Sequence, residues 1–253
     1  MKTKSGFSIA GIIAGITATI FVIVASILVI NANNNATNYN NYDFNSVIEP
    51  DEHNGHIGDH IKGDKDAPVI IFEYADFQCP GCASINTRVN KALEKSDDKL
   101  AIVYRNYLLS YHQNGTAAAS AAEAAGLQGY WKEYADTLFK NQAEWEYATP
   151  SERTTLFNKY FTEITEGHGD LEKFNKDIAS ENVSKKISFV MGIGKRINLP
   201  GTPSFYIDDQ RIDYGNEKGS SITINGKTIT WDHTLSGEEF TNLLLDIVEA
   251  KTK

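Results

Sequence analysis

The chain has 253 residues and a formal net charge of −9, and its length allows one domain of about 200 residues with terminal additions. Beyond the first 30 residues it carries 22 basic against 33 acidic side chains, and no basic stripe alternates with aromatic residues. This balance argues against nucleic acid and anionic lipid surfaces as partners.

The first 30 residues are predicted to be a membrane anchor. Residues 7–30 form a stretch of 24 residues without a charge, and about 20 are enough to cross a bilayer. A cleaved signal peptide, the alternative, has an apolar region of about 7–15 residues and a small-x-small site after it, which is not evident here. Because Lys2 and Lys4 precede the span, the positive-inside tendency places the N terminus in the cytoplasm. We therefore expect an uncleaved single-pass anchor, with everything after residue 30 on the extracytoplasmic side.

Residues 31–57 are predicted to be a flexible polar linker. Eight asparagines fall within residues 31–45, a composition typical of a disordered tether. Further on, His53, His56 and His60 could bind a metal at these spacings, but a solvated linker explains them without one. The folded domain is then expected to occupy residues 58–253.

The only two cysteines of the chain lie at a predicted junction between a strand and a helix. The apolar run Val69–Phe72 favours a strand covered on both faces, and the sequence Cys79-Pro80-Gly81-Cys82 follows it. Cys79 falls where a helix N-cap belongs, and Pro80 takes the first helical position, which proline tolerates well. Backbone N–H groups and the positive end of the helix dipole should favour a thiolate at Cys79.

Three interpretations of this cysteine pair compete. A structural zinc site needs about four ligands, and no second pair of this kind exists. Two inert core cysteines would leave the proline between them unexplained. A redox-active dithiol fits both the spacing and the context, and it is the interpretation we favour. In an exported chain no cysteine remains for a structural disulfide, and a Cys79–Cys82 bond closes too short a loop to restrain much of the chain.

The remaining elements follow in a definite order. A second buried strand is predicted at residues 100–107, and a helical block occupies residues 113 to about 198. Strands return at residue 203 and at 210–213, and the alternating segment 222–231 contains Asn225-Gly226, a strong hairpin signal. A capping box at residues 236–239 opens a terminal amphipathic helix.

This order resembles an α/β thioredoxin fold with a helical insertion, the arrangement of DsbA-like thiol-disulfide oxidoreductases, preceded here by one transmembrane helix. Four segments carry the resemblance: EYADFQCPGC at 73–82, RNYLL at 105–109, ASAAEAAG at 119–126 and GTPSFYI at 201–207. Together they span most of residues 58–251, apart from the hairpin near 214–232.

The resemblance implies a role for five residues. Cys79 is similar to the exposed nucleophile of that family, and Cys82 to its buried resolving cysteine. Thr202-Pro203 resembles the cis-proline loop, which lies beside the dithiol and offers backbone groups to an extended substrate. Glu73, six residues before Cys79, lies where the family often has a buried acid.

The resemblance also implies a reaction and its partners. It points to disulfide formation in exported proteins that contain cysteines, with no cofactor beyond the redox-active Cys79–Cys82 disulfide and with a membrane redox partner that recycles the dithiol. Pro80-Gly81 lacks the histidine of the strongly oxidising members. A reductase or isomerase on the same fold therefore stays an alternative, as does a non-catalytic, surface-anchored binding module.

Overall fold

The computed structural model describes residues 37–213, 219–231 and 233–253. The predicted anchor at residues 1–30 lies outside the described residues. Within them, no helix has both the length and the apolar character that crossing a bilayer requires.

The described residues form seven strands and eight α-helices, after a short 3-10 helix at Tyr39–Asn41. In chain order they are β1 (His60–Gly63), β2 (Val69–Ala75), α1 (Pro80–Lys95), β3 (Leu100–Asn106), α2 (Gly115–Gly126), α3 (Trp131–Lys140), α4 (Gln142–Trp145), α5 (Pro150–Ile164), α6 (Leu171–Ile178), α7 (Glu181–Arg196), β4 (Ser204–Ile207), β5 (Gln210–Ile212), β6 (Ser220–Ile224), β7 (Lys227–Trp231) and α8 (Gly237–Thr252).

A five-stranded sheet with the order β1-β3-β2-β4-β5 forms the centre of the fold. β2 and β3 are parallel, in register from Val69 opposite Leu100 to Ala75 opposite Asn106. The other three pairings are antiparallel. Every residue of β3 is buried, and so are all residues of β2 except Ile70, which is half-buried. This burial agrees with the apolar runs that predict both central strands.

The predicted helical insertion is present between β3 and β4 and comprises α2 to α7. The alanine-rich α2 is buried along most of its length, because small side chains let neighbouring helices approach closely. Six aromatic side chains pack around α2 in one hydrophobic cluster, which also includes both cysteines. These side chains are Trp131, Tyr134, Phe139, Trp145, Phe161 and Phe174. These six aromatic residues are therefore core residues.

The hairpin β6–β7 packs onto the edge of the main sheet. Ile222, Ile224 and Trp231 join the hydrophobic cluster between the sheet and α8. The side chain of Gln210 in β5 bonds both backbone groups of Thr223, through Nε2 to the carbonyl at 2.9 Å and Oε1 to the N–H at 3.1 Å. The hairpin thus covers the β5 edge, which would otherwise present unpaired backbone groups.

Over residues 39–57, the structure differs from the linker expected at residues 31–57. The compact unit begins at Tyr39, and Ile48 and Asn54 are buried within it. Arg105 draws the segment in, since its guanidinium donates to the carbonyls of Phe44 and Ser46 at 2.7 and 2.8 Å. The same guanidinium pairs with the buried Asp59 at 2.7 Å. The composition of the segment is typical of a tether, and it gives no sign of the contacts that the segment makes with the buried Arg105 guanidinium.

Candidate active site

The two cysteines lie at the start of α1, where the sequence placed them. Cys79 is the N-cap residue, with an extended backbone at φ −74° and ψ 120°, and Pro80 occupies the first turn. Both thiols are free. Cys79 retains 8% of its surface, whereas Cys82 has none exposed. A sulfur of another molecule can therefore reach Cys79 and not Cys82.

The surroundings push the pKa values of the two thiols apart. A hydrogen bond from the Cys82 thiol is the main cause that lowers the pKa of Cys79 from 9.0 to about 5. The backbone N–H groups of Cys82 and Gly81 and the Thr202 side chain act in the same direction, while burial opposes them. Burial, and next the hydrogen bond to Cys79, raise the pKa of Cys82 well above its ordinary value. Only Cys79 is therefore a thiolate near neutral pH.

The loop before β4 lies beside the two cysteines. Its Thr202-Pro203 peptide bond is cis, as the resemblance implied. The Thr202 carbonyl lies 3.5 Å from Cys79 Sγ. A β-carbon on Gly81 would meet Pro203 Cδ at 3.3 Å, so the glycine leaves space for this close approach.

Replacing Thr202 with valine is expected to raise the pKa of Cys79. Thr202 Oγ1 is buried and has no other hydrogen-bond partner, so its proton can turn toward a thiolate at Cys79. Valine keeps the shape but removes this donor, and hydrogen bonds to charged groups are worth about 1.5–3 kcal/mol. We expect a rise of about one unit, measured from thiolate absorbance against pH. If the titration of Cys79 is unchanged in this variant, the Thr202 hydroxyl does not stabilise the thiolate.

Glu73 lies under the dithiol on β2 and is fully buried. Its Oε1 has no hydrogen-bond partner. Burial raises the pKa of Glu73 to about 7, although the nearby Lys62 ammonium works against this rise. The Glu73 carboxylate is also among the groups that raise the pKa of Cys82. Glu73 is therefore a buried acid with a pKa of about 7, close enough to the Cys82 sulfur to influence its ionisation.

A buried lysine accompanies Glu73, and sequence reasoning missed it. Lys62 on β1 is 1% exposed, and its Nζ bonds Asp136 at 2.6 Å and Asn86 at 2.7 Å. Asp136 also accepts a hydrogen bond from Asn90 at 3.1 Å. These residues come from β1, α1 and α3, so no local pattern in the sequence links them.

A second polar cluster fixes the loop that carries Cys79. The buried Asp76 carboxylate accepts hydrogen bonds from the N–H groups of Gln78 and Leu109, each at 2.9 Å. His112 Nδ1 lies 2.8 Å from the same carboxylate. Asp76 thereby ties the β2–α1 loop to the β3–α2 loop.

Gln142 fixes the same loop from the helical insertion. Its Nε2 donates to the carbonyls of Phe77 and Cys79 at 2.6 and 3.1 Å. Together with Asp76, it holds the backbone around the nucleophile from two sides.

Of the five predicted site residues, the structure brings Cys79, Cys82, Thr202 and Pro203 together at the start of α1, with Cys82 fully buried, and it places Glu73 in the core near Cys82. Across the described residues, no three His, Cys, Asp or Glu side chains are arranged to hold a metal ion. Of the three histidines considered as metal ligands, His60 pairs with Glu123 at 2.6 Å and stacks on Trp131.

This fold and this pair of unequal cysteines define a thioredoxin-fold protein with one partly accessible and one fully buried cysteine. A family model described as thioredoxin matches residues 56–243, and the chain belongs to that family.

Solved structures share the fold. BdbD from Bacillus subtilis, in its oxidised form, aligns with a TM-score of 0.58 and 16% identity, over 83% of this chain and 100% of that one. Alpha-DsbA1 from Wolbachia pipientis aligns with a TM-score of 0.56 and 22% identity, over 77% and 92%. These likenesses confirm the predicted thioredoxin fold with a helical insertion and its resemblance to DsbA-like proteins.

Curated relatives extend well beyond this chain. The Na(+)/H(+) antiporter NhaA 1 of Mycolicibacterium vanbaalenii is 29% identical over 167 residues, which are 65% of this chain and 24% of that protein. The chain thus spans about a quarter of the length of such relatives.

Proposed function

We propose that the chain is a membrane-tethered thiol-disulfide oxidoreductase that introduces disulfides into exported proteins through Cys79 and Cys82. The observation that carries this proposal is the contrast between an accessible, low-pKa Cys79 and an inaccessible, high-pKa Cys82. A plain structural pair would not need this difference. The uncharged segment at residues 7–30 supplies the tether and places the domain on the extracytoplasmic side.

The first step of the reaction forms a mixed disulfide. A client thiolate attacks Cys79 Sγ in the oxidised protein, a client–Cys79 bond forms, and the Cys79–Cys82 bond breaks with its electron pair on Cys82. Because burial disfavours charge on Cys82, this sulfur takes up a proton as it leaves. Glu73, with a pKa of about 7, is positioned in the core to supply that proton.

The second step releases the client. A second client thiolate attacks the client sulfur of the mixed disulfide, and Cys79 leaves as a thiolate. A sulfur of low pKa is the better leaving group, so the lowered pKa of Cys79 favours this release. The client gains a disulfide, and the protein keeps two electrons as its dithiol. A membrane redox partner of the disulfide-donating class then removes these electrons.

The reduction potential tests the direction of this reaction. We expect a value less negative than about −200 mV, together with oxidation of a reduced, unfolded client that holds two cysteines. A value near that of thioredoxin, about −270 mV, would assign the chain to reduction instead. Slow, ordinary alkylation of both cysteines at neutral pH would favour the non-catalytic module.

Replacing Glu73 with glutamine is expected to slow mixed-disulfide formation by about 100-fold at neutral pH. The wild-type rate, corrected for the thiolate fraction of the client, should fall as pH rises through about 7, because the proton donor is then lost. The Glu73→Gln profile should be flat, as measured by stopped-flow kinetics with oxidised protein.

Glu123→Gln provides the matched control, since Glu123 is also fully buried but pairs with His60 and Asn106. This variant should keep the inflection near pH 7. An inflection that survives Glu73→Gln would assign the proton to another group.

A further inference from the structure

The loop between α4 and α5 is fixed against the active site by buried amides. Asn114 Nδ2 donates to the carbonyls of Trp145, Glu146 and Ala148, at 3.0, 3.2 and 3.0 Å. Gln78, the residue before the nucleophile, donates from Nε2 to Glu146 O at 2.7 Å. The backbone of this loop is therefore rigid and lies next to the dithiol.

This rigid loop displays an exposed aromatic ring. The Tyr147 side chain is 85% exposed, the largest exposure of any bulky apolar side chain in the described ranges. Its ring takes part in no stacking contact among those residues. A tyrosine on a fixed backbone offers contact area at a low cost in conformational entropy, which is why such residues are common at binding surfaces.

Tyr147 forms one wall of a groove between α4 and α5. The groove has a volume of about 540 Å³, within the range of ligand pockets, and Ala143, Ala148 and Leu156 supply its apolar surface. Its volume suits an apolar side chain together with a neighbouring residue.

The polar part of the groove is acidic. Glu144 and Glu152 line it from α4 and α5. Glu144 accepts a hydrogen bond from Tyr160 at 2.8 Å, and Glu152 caps α5 through Thr149. No ion pair within the described part of the chain involves either carboxylate, and the nearby Arg153 is turned to Asn114 Oδ1 at 2.5 Å.

We propose that this groove, bounded by Tyr147 and Glu144, docks an unfolded client segment that carries an apolar and a basic side chain near its reactive cysteine. The inference rests on the proposed function, and it adds a preference among clients. The apolar side chain packs against Tyr147 and Leu156, and the basic side chain meets the unpaired carboxylates. Acidic segments are disfavoured there, since like charges repel.

Three cysteine peptides and dithiothreitol test the proposal on the oxidised full chain. One peptide carries leucine and lysine beside its cysteine, the second replaces the leucine with serine, and the third replaces the lysine with glutamate. Tyr147→Ser should lower the second-order rate constant for exchange with the first peptide by about tenfold, as truncation of a central contact does. Glu144→Gln should reduce the preference for lysine over glutamate by about two- to fivefold. Neither variant should change the rate with dithiothreitol.

Tyr111→Ser is the matched control, because Tyr111 is a tyrosine of 73% exposure that does not line the groove. It should retain the peptide preferences of the wild type. Wild-type preferences in Tyr147→Ser, an equal loss in Tyr111→Ser, or an equal loss with dithiothreitol would overturn the docking site while leaving the exchange activity intact. If the wild-type chain exchanges with neither the peptides nor dithiothreitol, the proposed function itself fails.

Discussion

Replacing Cys82 with serine is expected to abolish turnover and to leave client proteins covalently attached to Cys79. The variant keeps the Cys79 sulfur at the N-cap of α1, and its thiolate can attack a client disulfide, so that a Cys79–client bond forms and the other client sulfur leaves as a thiolate. Without Cys82, closure of the internal disulfide cannot displace this client, and the variant has no internal disulfide to donate. Acid quenching, alkylation of free thiols and non-reducing electrophoresis should then show a ladder of mixed disulfides that collapses on reduction. The loss of catalysed oxidation should be complete, because no other cysteine exists in the chain.

The Cys79→Ser variant is the matched control for this experiment. It removes the more accessible cysteine and leaves Cys82, which has no exposed surface and a raised pKa. It should therefore lose turnover without trapping clients. The opposite pattern, with trapping by Cys79→Ser and not by Cys82→Ser, would exchange the roles of the two cysteines.

The sequence predicted the elements that local patterns specify. Apolar runs located β2 and β3, and the position of Pro80 located both the start of α1 and the N-cap position of Cys79. The same pattern indicated which thiol would ionise, because N-cap geometry is a local property. The cis geometry at Thr202-Pro203 came only from the resemblance, since most bonds before proline are trans.

The parts that sequence reasoning missed depend on contacts between distant segments. Lys62 meets Asp136 across 74 positions of the chain, and Asn114 reaches the α4–α5 loop more than 30 positions away. His112, which showed no local signal, proved to bond Asp76. The segment after residue 38 has the composition of a tether, yet Arg105 binds it to the core. Amino-acid composition does not indicate that the buried Arg105 guanidinium donates hydrogen bonds to backbone carbonyls of this segment.

The relative stability of the reduced and oxidised forms is expected to reverse with pH. Lowering the pKa of Cys79 from 9.0 to about 5 stabilises the folded reduced form wherever the thiolate is populated. This contribution is full above pH 9, is lost as pH falls through about 5, and grows with pH between these limits. At about 1.4 kcal/mol for each pKa unit, it amounts to about 3 kcal/mol at pH 7 and about 4 kcal/mol at pH 8. The raised pKa of Cys82 works against it only at pH values above 9.

The disulfide provides an opposing contribution that does not vary with pH. Closing so short a loop restrains the unfolded chain by about 2 kcal/mol in the loop-entropy model. The reduced form should therefore melt higher at pH 7 and 8, and the oxidised form at pH 5, with the crossing between pH 6 and 7. Ionisations common to both forms, such as that of Glu73, largely cancel when the two melts are compared at one pH. Paired thermal melts of the oxidised and reduced forms at pH 5, 7 and 8 test this expected reversal. If the oxidised form melts higher at pH 8, Cys79–Cys82 behaves as a structural disulfide or as that of a reductase, and the oxidase assignment fails.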